Sequence, residues 1–135
     1  MPGIQDRFYI DNNDKDLYKR LKEQVNLFSD RDNKDMFIFA VCYGLKNDFR
    51  KSLSSKFGFV RAEYLKEDDW ALLKVLAVKK NDIEVLNNQE KIMEIAEEYA
   101  HGGIELLIKE VNESQFDSFE KNFELLLFEL VNQGQ

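Results

Sequence analysis

Met36-Phe37-Ile38-Phe39-Ala40-Val41-Cys42 is apolar at seven successive positions, and this run constrains the fold more than any other stretch of the chain. Read as a helix from about Lys34 to Tyr43, it has no polar side. A helix that is hydrophobic all round has to be surrounded. The run is far shorter than the roughly 20 residues that cross a bilayer, so the surroundings are other parts of the protein. Ser29-Asp30-Arg31-Asp32-Asn33 in front of it supplies loop and capping chemistry. Gly44 behind it can provide a left-handed stop, with Leu45 folding back on the last turn.

Amphipathic elements to surround that helix are easy to find. Leu17, Leu21, Val25 and Phe28 recur at spacings of 4, 4 and 3, which predicts a first helix from about Asp14 to Phe28. Trp70, Leu73, Leu76 and Ala77 give a third helix from Lys66 to about Lys79, with Glu67, Asp68 and Asp69 on the positive end of its dipole. Ile92, Ala96, Tyr99, Gly103, Leu107 and Val111 give a fourth from about Gln89 to Val111. Gly102-Gly103 lies inside it, where two glycines cost about 1 kcal/mol each relative to alanine; a kink or a close helix crossing is expected there. Ser114 can cap a fifth helix from about Gln115 to Asn132. Arg7-Phe8-Tyr9-Ile10 reads as a short extended strand, and Asp82 to Leu86 fits either a helical turn or an edge strand. The fold expected is mainly α: a compact bundle of about five helices in one domain, 1–135, with room for a short strand pair at its edge.

Charge is distributed unevenly. The net value is −7, yet residues 46–61 hold Lys46, Arg50, Lys51, Lys56 and Arg61 against Asp48 alone, while residues 62–135 are net −10. The 46–61 stretch reads as a basic connection, broken by Ser52, Ser54, Ser55 and Gly58 and anchored to the core by Phe57, Phe59 and Val60. Cations interleaved with aromatics can hold a phosphate backbone or stack on bases, so these five cations are candidate nucleic-acid contacts. The plainer reading is a loop that balances the protein's own acidic helices. A strand followed by two helices also suggests a ribbon-helix-helix, with Arg7 and Tyr9 facing a DNA groove.

Catalytic constellations are sparse. Cys42 is the one cysteine, so no internal disulfide forms, and its apolar neighbours predict a buried thiol in a reducing cytoplasm. The N-terminus has no basic stretch followed by an apolar run, so it is not read as a secretory signal. The most enzyme-like fragment is Glu98 and His101, whose E-x-x-H spacing places both on one helix face as in di-iron bundles. One histidine falls short of such a site, and the expectation is a surface Glu-His pair. Asp30 and Asp32 lack the glycine and terminal glutamate of a calcium loop. Neither a glycine-rich phosphate loop nor a zinc ligand set is present. No catalytic residue, metal ligand or cofactor is expected.

The fifth helix is the best partner feature. Phe116, Phe119, Phe123, Leu126 and Leu130 repeat at 3, 4, 3, 4, a coiled-coil-like seam. Leu125, Leu127 and Phe128 add apolar surface on other faces. A terminal helix apolar on more than one face has a second side to bury, against the domain core, a second copy or another protein; Phe116, Phe119, Phe123, Leu126, Leu127 and Leu130 are the candidate interface for a protein partner or a second copy.

Three stretches carry a family likeness: Asp35-Met36-Phe37-Ile38-Phe39-Ala40 through Gly44, AEYL…DDWALL between Ala62 and Leu73, and Ile95-Ala96-Glu97-Glu98-Tyr99-Ala100-His101-Gly102-Gly103-Ile104. Together, over about residues 14 to 112, the chain resembles a family of small bacterial proteins associated with DNA phosphorothioation (Dnd) defence systems. The resemblance implies an accessory component of a DNA-modification or antiviral restriction locus. It carries over no catalytic residue, and His101 stands where the family pattern would place an asparagine. The function expected is a non-enzymatic, cytoplasmic accessory subunit that docks on a larger protein, with local nucleic-acid binding as the alternative.

Overall fold

The computed structural model describes residues 6–113, with backbone only at 26 and 27. The expected fifth helix and its interface residues Phe116, Phe119, Phe123, Leu126, Leu127 and Leu130 lie outside the described residues. Within them the order is β1 (Arg7–Asp11), α1 (Lys15–Gln24), α2 (Asn26–Ser29), α3 (Asn33–Lys46), β2 (Lys56–Arg61), α4 (Glu67–Lys80) and α5 (Gln89–Glu113). Single 3-10 turns at Asn12–Asp14, Ala62–Tyr64 and Ile83–Asn87 link them. The last of these resolves the ambiguous 82–86 stretch as helical: Asp82 caps it by accepting from the Glu84 amide at 2.9 Å. The class is mainly α with a short antiparallel strand pair.

The expected first helix is two. Val25 takes an extended conformation (φ −119°, ψ 114°) between α1 and α2. Val25 and Phe28 are both buried, as the spacing required, and Phe28 meets the Phe39 ring edge-on at 5.0 Å. Apolar spacing fixes which residues go inside, not the backbone between them.

α3 starts at an Asp32 cap, whose carboxylate accepts from the Asp35 amide at 3.0 Å. It runs three residues beyond Tyr43, because Gly44 is not a stop. Gly44 sits inside the helix against α5, where an added Cβ would lie 2.1 Å from the Tyr99 carbonyl oxygen. The stop is Asp48, at φ 50°. Its amide bonds the Leu45 carbonyl (3.0 Å) and that of Phe49 bonds the Gly44 carbonyl (2.8 Å), the paired closure of a Schellman motif with aspartate in the usual glycine place.

The close crossing expected at the glycine pair is present. A Cβ on Gly103 would fall 1.8 Å from the Ala40 carbonyl oxygen, and one on Gly102 would fall 2.2 Å from that of Phe49. α3 and α5 therefore touch backbone to backbone. α5, capped by Asn88 accepting from the Lys91 amide (3.0 Å), also packs on α1, α4 and β1. It buries Ile92, Met93, Ile95, Ala100, Ile104, Leu107 and Ile108, so it shares with α3 the central place that the apolar run alone had suggested for α3.

The 46–61 segment is not one loop. Lys46 closes α3, and residues 56–61 form β2, antiparallel to β1 with Arg7 opposite Arg61 and Asp11 opposite Lys56. A bulge falls between Phe8 and Tyr9. Phe8, Ile10 and Val60 face the core, and Phe8 stacks near Phe37 at 5.1 Å. Phe57, expected as an anchor, is 39% exposed and lies under the Lys15 ammonium. Its place opposite Ile10 lies at the open end of a two-stranded sheet. Because β1 pairs within its own chain, and the Tyr9 amide donates to Glu97 Oε2 at 2.8 Å, the intermolecular ribbon of a ribbon-helix-helix is not needed to satisfy it.

Candidate functional site

His101 is buried, not on the surface. α5 carries it to the junction of β1 and α1, where its Nδ1 shares a 2.6 Å hydrogen bond with Asp14 Oδ2. Its Nε2 lies 3.8 Å from Asp11 Oδ2. Glu98, the other half of the expected pair, instead takes the Arg50 guanidinium at 2.6 Å. The partners come from distant parts of the sequence, 48 positions away for Glu98 and 87 for His101 with Asp14, which spacing cannot show.

Asp11 is 1% exposed and fully engaged. Its Oδ1 accepts from the Asn13 amide (3.0 Å), and its Oδ2 accepts from the Ser54 amide (2.8 Å) and hydroxyl (2.9 Å). Burial alone would raise its pKa, but these donors, with the Ser55 amide, outweigh it and hold the carboxyl well below the usual range. Asp14 behaves oppositely. Burial pushes it up to about 6, and the bond to His101 only partly offsets that. The two aspartates thus differ in donor supply: Asp11 is a fixed anion, Asp14 one half of a proton-sharing pair. Tyr18, one turn beyond Asp14, has a buried hydroxyl without a hydrogen-bond partner among the described residues; burial raises its pKa, with the Asp14 charge adding.

Asp14, His101 and Glu105 each offer a ligand atom within 4.8 Å of the others, the one such metal-capable group among the described residues. As arranged, the contact between Asp14 and His101 is a hydrogen bond, and the Lys51 ammonium lies on Glu105 at 2.7 Å. The cluster can share protons, but with Asp14 at 2% and His101 at 9% exposure it offers little access to a substrate. Cys42 is likewise buried, its thiol pushed up to about 12 by desolvation. The sequence reading missed Asp11, Asp14 and Glu97.

The basic candidates divide. Arg50 and Lys51 turn onto the α5 carboxylates Glu98 and Glu105, and the Lys51 backbone amide bonds the Glu98 carbonyl at 3.1 Å. Lys56 lies over the Tyr9 ring at 5.8 Å. Arg61, at the other end of β2, pairs with Glu63 at 3.3 Å. Lys46 is exposed at the end of α3. The five do not form one patch.

The family described as DNA sulphur modification system-associated protein 4 matches residues 7–134. The chain belongs to that family. The match takes in both strands, every described helix and the Asp11–Asp14–His101 cluster. It extends the likeness seen in the three sequence stretches to nearly the whole chain. No curated protein and no solved structure matches the chain.

Proposed function

We propose that this member of the family is a non-catalytic accessory subunit that docks on a larger protein of the DNA sulphur modification system. The observation that carries this reading is the inward orientation of its reactive groups. The imidazole, the Asp14 carboxyl and the thiol are all buried in the described structure. A protein whose proton-transfer groups are closed off works through its surface. The docking element is the segment with the 3, 4, 3, 4 seam, Phe116 to Leu130.

The test is co-purification of the full chain with the other proteins of its modification locus. Phe123→Asp with Leu126→Asp should abolish partner capture or self-association while leaving the circular dichroism spectrum and melting of the domain intact. Unchanged capture and unchanged mass by light scattering would overturn the assignment. DNA binding through Lys46, Arg50, Lys51, Lys56 and Arg61 has weaker support, because two of these cations already neutralise Glu98 and Glu105.

A further inference from the structure

A groove of about 640 Å³ opens between the end of α1, the start of α3, β2 and the start of α4, lined by Lys22, Lys34, Lys66, Phe59 and Tyr64, with Asp32 and Asn33 at its rim. A second, smaller hollow of about 220 Å³ continues from it, sharing Phe59, Val60 and Tyr64 and adding Arg7 and Arg61. We propose that this groove binds single-stranded nucleic acid, with an unpaired base on the Tyr64 ring and the flanking phosphates on Lys22 and Lys66. Of the five basic candidates in residues 46–61 the site includes only Arg61, and the proposal does not depend on protein docking.

Several observations converge on it. Tyr64 is 60% exposed although it stands where the two hollows meet. An accessible aromatic face inside a cationic groove is the sequence-tolerant platform on which unpaired bases stack. A duplex hides its base faces, so it cannot use that ring. Several acidic groups nearby are already occupied. Asp32 caps α3 through the Asp35 amide. Asp69 accepts from the Lys66 amide at 2.8 Å and holds the Lys34 ammonium at 3.1 Å. Glu63 is on Arg61 and Asp6 on Arg7 (3.5 Å). Lys22 and Lys66 are exposed and have no carboxylate partner among the described residues, so they are the cations left to meet phosphate.

The backbone is shaped for the same end. The groove opens where two 14-residue helices, α3 and α4, begin. Gly58 lets the Arg7 stem cross β2, since a Cβ there would fall 2.7 Å from Arg7 Cδ. The net charge of −7 does not cancel this: beyond a Debye length of about 8 Å at physiological salt, remote carboxylates are screened.

The experiment is fluorescence anisotropy of a fluorescein-labelled twelve-residue oligodeoxythymidylate titrated with the full chain at 50 mM salt. Contacts to two or three phosphates should weaken about tenfold on raising salt to 200 mM. Tyr64→Ala should weaken binding about tenfold, and Lys22→Glu with Lys66→Glu should remove it; these residues are exposed, and melting curves confirm that each variant folds. Lys91→Glu, elsewhere on the surface, should leave it unchanged. Absence of binding at 100 µM protein, equal affinity for a twelve-base-pair duplex, or loss in Lys46→Ala/Arg50→Ala/Lys51→Ala but not in the groove variants would each overturn the proposal. Partner capture is read separately, so its failure is distinguishable from this one.

Discussion

α5 makes two contacts of opposite character within three residues. At Gly102 and Gly103 it meets α3 and the Phe49 turn backbone to backbone, with no side chain between them. At His101, the preceding residue, it meets Asp14 and Asp11 through polar side chains buried as deeply as the core. The first contact is defined by volume and the second by charge and hydrogen-bond supply. A close-packed interface resists any added atom. A buried polar one resists the loss of a partner, because the survivor is left unpaired. Adjacent residues of one helix therefore respond to different kinds of substitution.

Breaking the volume contact should cost most. Gly103→Val pushes a branched side chain into the Ala40 carbonyl, and destabilisation of about 4 kcal/mol or more is expected, seen as loss of the cooperative thermal transition. Gly103→Ala should be milder but still severe, since even the methyl would lie 1.8 Å from that oxygen. If Gly103→Ala melts like the wild type, the two helices do not touch there and the comparison fails.

Removing the imidazole should cost less. His101→Leu leaves Asp14 buried without its partner, a change worth about 3 kcal/mol by denaturant titration. The loss is limited because Asp14, already pushed up to about 6, can protonate instead of remaining an unpaired anion. Asp14→Leu combined with His101→Leu should recover part of that loss, as both polar partners go together. A double variant no better than His101→Leu alone would show that the pair is not the unit that matters.

The smallest effect sharpens the contrast between the two aspartates. The folded state keeps the Asp14 proton up to about pH 6, whereas an unfolded carboxyl releases it near 3.8. Between those values the folded chain binds more protons, so this group's contribution to stability falls as pH rises. Asp11, held low, acts in the other direction, and its contribution is lost as pH falls below 3.8. His101, Asp11 and Glu105 all face Asp14, so the clean comparison is Asp14→Asn against wild type. Melting temperatures from pH 4 to 6 should decline less in the variant; parallel curves would remove Asp14 as the titrating group.

Much of this was legible in the chain itself. The apolar run from Met36 to Cys42 placed α3, the stripe from Trp70 to Ala77 placed α4, and the glycine pair pointed to a kink or a crossing, of which the structure shows the crossing. What escaped was set by distant partners. β2 was hidden because Gly58 interrupts the apolar residues Phe57, Phe59 and Val60, and its pairing partner β1 lies some fifty residues earlier. His101 looked exposed because Asp11 and Asp14 approach it from the other end of the sequence. Gly44 looked like a terminator because its local meaning, a left-handed stop, and its tertiary meaning, room for α5, are written with the same residue. The groove at Tyr64 could not be anticipated either, since its cations come from α1, α3 and the start of α4.

The tie between the start of the chain and residue 101 has a consequence for synthesis. Asp11 waits for Ser54, β1 waits for residues 56–61, and Asp14 waits for an imidazole that leaves the ribosome about ninety residues later. Until residues 54–61 are made, β1 has no edge to pair with and Asp11 lacks its Ser54 donors; Asp14 waits longer, for His101. β1 is thus made well before the residues that secure it, and its attachment is complete only once α5 has been made.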